Sequence, residues 1–597
     1  MGISFLFMRY DPYIAFYGTN ITQKSISFYS RDGLLIKGVL YYPIDYNVSK
    51  TYPAIVSIHG INSNLMAHTR LNIEFSRRHF FVLGIDLRGH AGSQGTCTLS
   101  KDEPFDIMGA IDYLYKIPQI NKSEIGIIGH SLGAMSGIRA AFNDSRISAT
   151  VAIAPPPSVS ILLSYYIKNF NLGYIQNLLG LDFNISDPHE LYLRSPMFWV
   201  NSTMPKNLLI QVGCADELAQ DDILILRNAT NNASAEVGKL YGNFSLGTAR
   251  QYNIYYRNPG VQHEEEPRVP EIIIDAILWM ENSLLGHEQG TLNTTDLLKW
   301  NDFTFGGSIF IVGLLLSLIP VISYISSFIF KNRPKFPEDI KIPEDKLTKK
   351  NKILSLGSYL GAYIVSSMFV IPLLNIFKIS PFVTFNISGA LILLFLIRAL
   401  FLILSLFIIY LLEKRLYGIN IFDPTIYKQN LLKSTVVGLI TSLYFMIFYF
   451  YVQNIPILNW QFIYYPWDLL VSILIFTGTF FVDEIYNRVL IESKFNLKNN
   501  EKRLTKYKKI FLISICIGLV GAVSIGSMFL IFANSFIILG SIEISLVLIG
   551  LIAGFIVFSF FGFINSWIYL KTKNIISGAL FQSILFTWFT ATLLVVL

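Results

Sequence analysis

At 597 residues the chain has room for two or more separately cored domains, and its net charge of +7 invites a nucleic-acid reading. The charge distribution argues against it: basic residues cluster between apolar stretches instead of on one face of a soluble domain, so no nucleic-acid partner is expected. The three cysteines, Cys97, Cys214 and Cys516, have no metal-ligand spacing, and no metal or other cofactor is implied.

In chain order, residues 1–24 open with Met1-Gly-Ile-Ser-Phe-Leu-Phe-Met-Arg-Tyr, which reads as the tail of an apolar segment too short for a complete export signal. The expectation is that translation starts upstream. Residues 25–43 alternate apolar and polar around Asp32-Gly33, a hairpin signature. Short buried-strand patterns follow at Ala54–Ile58 and Phe81–Ile85, the first running into His59-Gly60, the second into Asp86-Leu-Arg-Gly-His90. Helical spacing covers Phe105–Tyr115, and a strand at Ile125–Ile128 leads into Gly129-His-Ser-Leu-Gly133 and a small-residue helix at Ala134–Ala141. Strands at Thr150–Ala154, Leu208–Val212 and Ile254–Tyr256 and an amphipathic helix near 268–285 complete the run. Repeated βα units with apolar strands mean a mostly parallel sheet covered on both faces. The stretch 158–206 is too long for one crossover and is expected to form a small helical cap.

A serine on a tight strand-to-helix turn needs small residues two positions to either side, which Gly129 and Gly133 supply, and the turn exposes the Ser131 hydroxyl. That hydroxyl is a weak nucleophile until a histidine takes its proton, and the histidine needs a carboxylate to orient it. Asp216 follows the strand at 208–212 and His263 follows the last strand, giving the chain order serine, acid, histidine. Asp221 and Asp222 compete for the acid role but are assigned to the next helix as solvated groups. His59, His90 and His130 compete for the base role; the first two belong to turns that histidines commonly hold by hydrogen bonds, and His130 is the variable position of the elbow. Glu264, Glu265 and Glu266 read as a solvated, dipole-favoured start to the closing helix. Backbone N–H groups of Ile61 and Leu132 would form the oxyanion hole.

The pieces His59-Gly60, Asp86–Ser93, the Ser131 elbow, Gly213-Cys-Ala-Asp-Glu217 and Gly260-Val-Gln-His263 together make residues 25–287 resemble the α/β-hydrolases, especially the dienelactone-hydrolase and prolyl-oligopeptidase-like branch. The resemblance implies a serine hydrolase that passes through an acyl-enzyme on Ser131, with a small ester, lipid or peptide as substrate. The propeller that precedes the peptidase members has no counterpart here, which favours esters over a peptidase role. A non-catalytic receptor or transport protein is the competing reading of another class.

After a linker at 288–305, residues 306–597 hold eight apolar segments, near 306–330, 353–375, 385–411, 434–453, 466–487, 510–533, 544–568 and 575–597, each able to cross a bilayer of about 30 Å. The fold class expected is therefore an α/β-hydrolase domain followed by an all-α multi-pass bundle. Lysine and arginine crowd the loops after the first, third, fifth and seventh segments, which places those loops in the cytoplasm and the hydrolase domain outside it. Asn-x-Ser/Thr sequons agree: ten occur before residue 300, at Asn20, Asn47, Asn121, Asn143, Asn184, Asn201, Asn228, Asn232, Asn243 and Asn293, where chance gives roughly three. N-linked glycans on the outer domain are the expectation, with the lipid bilayer as the other partner.

Phe480-Phe-Val-Asp-Glu-Ile-Tyr-Asn-Arg488 and the stretch Gly562–Gly578 leading to Gln582 resemble the CAAX-protease and bacteriocin-processing membrane family. That chemistry needs histidines in later helices, and no histidine follows His287. Asp483 and Glu484 are expected instead to pair with Arg488, as buried intramembrane charges do, and this half reads as a relic scaffold or a binding domain for lipid or peptide.

Overall fold

The computed structural model describes residues 21–61, 63–161, 187–216, 221–256, 260–286 and 291–298 of the N-terminal half with Leu218, and chiefly 300–330, 430–453, 466–485 and 540–593 beyond it. Eight strands form one sheet in the order β1-β2-β4-β3-β5-β6-β7-β8. They are β1 (Ile21–Tyr29), β2 (Leu35–Pro43), β3 (Tyr52–Ile58), β4 (Phe81–Ile85), β5 (Ile120–His130), β6 (Ala149–Ile153), β7 (Leu208–Gly213) and β8 (Arg250–Tyr255). The first two form the hairpin read from the sequence, Gly33 turning at φ 90°. β2 pairs antiparallel with β4, and from β4 to β8 every pairing is parallel.

The parallel strands are apolar on both faces because both are covered. Ile127 enters one core with Val56, Ile58, Leu83 and Ile85, beneath helices α2 (Glu103–Leu114) and α3 (Leu132–Asn143). Its neighbour Ile128 points the other way, into a core with Val82, Val151 and Ile153 under α1 (Thr69–Ser76) and a later helix rich in isoleucine at 272, 273 and 277. Each such fully buried side chain contributes about 1.5–3 kcal/mol. β5 begins five residues before the expected strand because its first residues pair with Tyr52 across a register shift. Of the expected cap at 158–206, most lies outside the described residues; α4 (Pro188–Arg194) and a short 3-10 turn at Pro196–Phe198 are the described parts. α5 (Ile223–Thr230) lies between β7 and β8, and α6 (Pro270–Met280) closes the domain.

The motif Asp86–His90 is a strut. Asp86 accepts the Leu65 amide, His59 Nε2 accepts that of Leu87, and His90 Nδ1 donates to the Arg88 carbonyl. Arg88 donates to both oxygens of buried Asp106 and bidentately to Asp32, tying the β1–β2 hairpin to α2. The turns flanking the sheet's C-terminal edge are thereby held rigid.

In the C-terminal half, α7 (Trp300–Ile329), α8 (Leu431–Gln453), α9 (Pro466–Glu484), α10 (Gly540–Thr572) and α11 (Ile575–Leu593) pack around Leu318, Phe476, Phe480, Ile564 and Phe581. They match the first, fourth, fifth, seventh and eighth segments read from the sequence. Helices approach closely at small residues: a Cβ on Gly438 would stand 2.8 Å from the Ser577 carbonyl oxygen. Over their described residues alone, none of these helices is long and apolar enough to cross a membrane. The remaining three segments lie largely outside the described residues.

Candidate active site

Ser131 stands between β5 and α3 at φ 52°, ψ −116°, a conformation rare for any residue with a side chain. The flanking glycines permit it. A Cβ on Gly129 would lie 2.3 Å from the Gly133 carbonyl oxygen, and one on Gly133 would lie 2.3 Å from that of Ile58. The Ser131 amide donates to the Ile153 carbonyl, which locks the turn to β6. Leu132 opens α3, where the first N–H groups have no intrahelical acceptor. Ile61 follows Gly60, whose added Cβ would stand 3.3 Å from Ser131 Cβ. Leu132 is the residue next to the serine, and the backbone just before Ile61 borders it.

Asp216 follows β7 and His263 follows β8, and the two meet: His263 Nδ1 donates to Asp216 Oδ2 at 2.8 Å. The Asp216 carboxylate is fully buried and the His263 side chain is 11% exposed. Asp216 Oδ1 accepts the Leu218 amide, which fixes the carboxylate plane. The bond to Nδ1 leaves Nε2 as the nitrogen able to exchange a proton with a substrate or nucleophile.

Two residues take supporting positions here that the sequence reading did not give them. His130 Nε2 donates to the His263 carbonyl at 3.0 Å, and the two rings lie 4.7 Å apart. Burial, then the neighbouring His263 and His68, push the His130 imidazole well below the usual histidine range, so it is a neutral spacer between the elbow and His263. Glu266, expected in solvent, is fully buried. Its Oε1 accepts the Gly213 amide at 2.5 Å and its Oε2 lies 3.6 Å from His130 Nε2. The reason for the correction is local: residues His263–Arg268 form a 3-10 turn folded under β7 instead of an exposed helix start.

Asp222 is a second correction. It precedes α5 as its cap residue, fully buried, with no hydrogen-bond partner for either carboxylate oxygen among the described residues. Burial, and then the charge of Asp216, push its carboxyl well above the usual range, leaving Asp216 as the acid that meets the histidine. Asp221 is exposed, as expected.

Cys97 and Cys214 are free thiols. His130, His263 and Glu266 form a trio whose ligand atoms lie within 4.8 Å of one another, as a metal ion would require. One ring nitrogen of each histidine and Oε1 of Glu266 are engaged in the hydrogen bonds above.

In the C-terminal half Glu484 is buried, and Arg488 lies outside the described residues. The partners seen are amides. Asn565 Nδ2 donates to Glu484 Oε1 at 2.9 Å and to Gln582 Oε1 at 2.6 Å, joining α9, α10 and α11. Asp483 is also buried.

A serine on a strained strand-to-helix turn at the C-terminal edge of a mostly parallel sheet, with an aspartate and a histidine on the turns after two later strands, defines an α/β-hydrolase fold. The family model for the alpha/beta hydrolase fold matches residues 53–202. A polyketide transferase of Stachybotrys chlorohalonatus is 29% identical over 141 residues, 23% of this chain and 45% of its own length. The chain thus spans less than half of that relative. Among solved structures, the Pyrococcus furiosus esterase Pf2001 is 18% identical, covering 45% of this chain and 93% of its own, with a TM-score of 0.34. The acylaminoacyl peptidase of Pyrococcus horikoshii is 16% identical, covering 47% and 44%, also with a TM-score of 0.34.

Proposed function

We propose that the N-terminal half is a serine hydrolase that cleaves an ester through an acyl-enzyme on Ser131. The observation that carries this reading is the 2.8 Å hydrogen bond from His263 Nδ1 to buried Asp216, with His263 held through its carbonyl by His130, the residue that precedes Ser131 on the strained elbow. His263 Nε2 takes the Ser131 proton as Oγ adds to the acyl carbon, and Asp216 stabilises the imidazolium. The N–H groups of Ile61 and Leu132 hold the developing oxyanion. His263 then protonates the leaving alcohol, and a water activated by the same imidazole releases the acid. Amides and peptides follow the same course with an amine leaving group, and a substrate panel separates them. The experiment is labelling by a fluorophosphonate together with turnover of a short p-nitrophenyl ester. Both are expected in the wild type and absent in Ser131→Ala; retained turnover in that variant ends the assignment. An unlabelled wild type would favour a non-catalytic receptor or transport role.

The same proposal places this half outside the cytoplasm, tethered by a multi-pass helical half. Support comes from basic residues that crowd alternate connections, and from the surface of the helices. Their core is apolar, yet Leu316, Phe328, Leu432, Leu474 and Ile556 are also exposed on the outside, as lipid-facing side chains would be. We read these helices as a scaffold or a lipid- or peptide-binding half related in pattern to the CAAX-protease family, Gln582, bonded to Asn565, standing where that chemistry would need a histidine. Protease protection in sealed membrane vesicles tests the orientation: an N-terminal half digested only from the cytoplasmic face would overturn it.

A further inference from the structure

Eight of the sequons fall on described residues, and the fold gathers them at one end of the sheet. Asn47 lies just before β3, Asn121 at the start of β5, Asn201 just before β7 and Asn243 just before β8. Asn143 ends α3, Asn228 and Asn232 lie at the end of α5, and Asn293 follows α6 and its last turn. These are all at the N-terminal ends of the parallel strands. Ile61, Ser131, Asp216 and His263 all follow the C-terminal ends of β3, β5, β7 and β8. The sequons therefore crowd one pole and the candidate active site occupies the other. Seven of the eight asparagines are exposed and Asn121 is half-buried.

Their side chains fall into distinct states. In Asn47, Asn121, Asn201, Asn232 and Asn243 the carboxamide oxygen accepts the backbone N–H of the Ser or Thr two residues on, at 2.9, 3.2, 2.9, 2.9 and 2.8 Å. In Asn121, Asn201 and Asn243 it also accepts that residue's hydroxyl. Turning the oxygen inward points Nδ2 away from the chain. Asn143 and Asn228 do the opposite: their Nδ2 atoms donate to the carbonyls of Arg139 and Met197 at 2.8 and 2.9 Å.

We propose that Asn47, Asn121, Asn201, Asn232 and Asn243 are N-glycan acceptors, forming a coat on the sheet's N-terminal pole that leaves the substrate pole bare. The co-reactant is a lipid-linked oligosaccharide. The new bond joins Nδ2 to the anomeric carbon, the bond from that carbon to the lipid phosphate oxygen breaks, the lipid phosphate leaves with the electron pair, and one amide proton is released. Asn143 and Asn228 stay unmodified because their nitrogens are tied to the backbone.

The test is glycopeptide mass spectrometry on the full chain purified from membranes of a glycosylating cell. Sugar-bearing peptides are expected at the five named asparagines and bare peptides at Asn143 and Asn228. A variant with all five changed Asn→Gln should lose the glycan mass carried at those five sites and still label with fluorophosphonate to the wild-type extent. Bare peptides at all five sites would overturn the proposal, and sugar on Asn143 or Asn228 would overturn its selectivity argument. The mass readout is independent of hydrolysis, so an inactive but glycosylated protein would count against the serine mechanism alone.

Discussion

The carboxylate of Glu266 accepts the backbone amide of Gly213 at 2.5 Å, fully buried beneath the turn that carries Asp216. Its second oxygen lies 3.6 Å from His130, which in turn holds the His263 carbonyl. One side chain thus touches the supports of all three candidate catalytic residues. Glu266→Ala leaves a buried N–H without an acceptor, which costs about 1–3 kcal/mol. Loosening the acid turn should also lower ester kcat/KM by about tenfold to a hundredfold. Glu266→Gln keeps an acceptor oxygen and should retain most of the stability. Thermal unfolding and ester turnover of the two variants check this; an alanine variant as stable and active as the wild type would remove Glu266 from the account.

Ser131 is held at positive φ by the turn around it, not by its own preference. Glycine tolerates that conformation, so Ser131→Gly should gain about 1 kcal/mol of stability while losing turnover. Opposite signs for stability and activity in one substitution are the signature of strain kept for function. A drop in unfolding temperature would show that the serine side chain contributes more by packing than its backbone costs.

The elbow should respond to added methyl groups by position. Gly133→Ala drives a Cβ to within 2.3 Å of the Ile58 carbonyl oxygen, a backbone atom that cannot step aside. A loss of at least about 3 kcal/mol is expected. Gly137→Ala, one helical turn on, meets only side-chain tips, Ile127 Cδ1 at 3.3 Å and Ile58 Cδ1 at 3.7 Å, and its helix-propensity gain offsets the squeeze to within about 1 kcal/mol. Comparable behaviour of the two variants in denaturant titrations would contradict the close approach of α3 to β3.

Buried histidines should make the fold acid-sensitive. Burial pushes His68 down to about 3, against an ordinary value of 6.5. Between those values the unfolded chain binds a proton that the native state does not, so the His68 contribution is full above about 6.5 and is lost as pH falls toward 3. The slope is at most about 1.4 kcal/mol per pH unit. The stability difference between wild type and His68→Asn should shrink over that window and stay constant above pH 7. A difference independent of pH from 7 to 4 would mean that His68 titrates normally in the native state.

Much of this architecture is legible in the sequence for simple reasons. Strands buried on both faces become unbroken apolar runs, and Ile125–Ile128 or Leu208–Val212 can be read without knowing what covers them. The elbow glycines are visible because no other residue fits beside Ser131, and Asp216 and His263 are visible through chain order. β8 is harder: Arg250-Gln-Tyr-Asn lacks an apolar run because it lies on the sheet edge with half-buried positions, so only its last residues show.

What sequence alone determines here is whatever depends on neighbours along the chain: strand periods, the turn at Ser131, the sequon motif and the alternating charge of the helical half. What only the tertiary structure decides is the burial of charges that look solvated. Glu266 and Asp222 sit in polar stretches, and nothing local distinguishes them from Glu265 or Asp221; the sheet edge above them removes the water. The polar gathering of the sequons follows the same logic. Asn47, Asn121, Asn201 and Asn243 are far apart in the chain, and parallel strand pairing brings every strand start to one end and every candidate catalytic turn to the other.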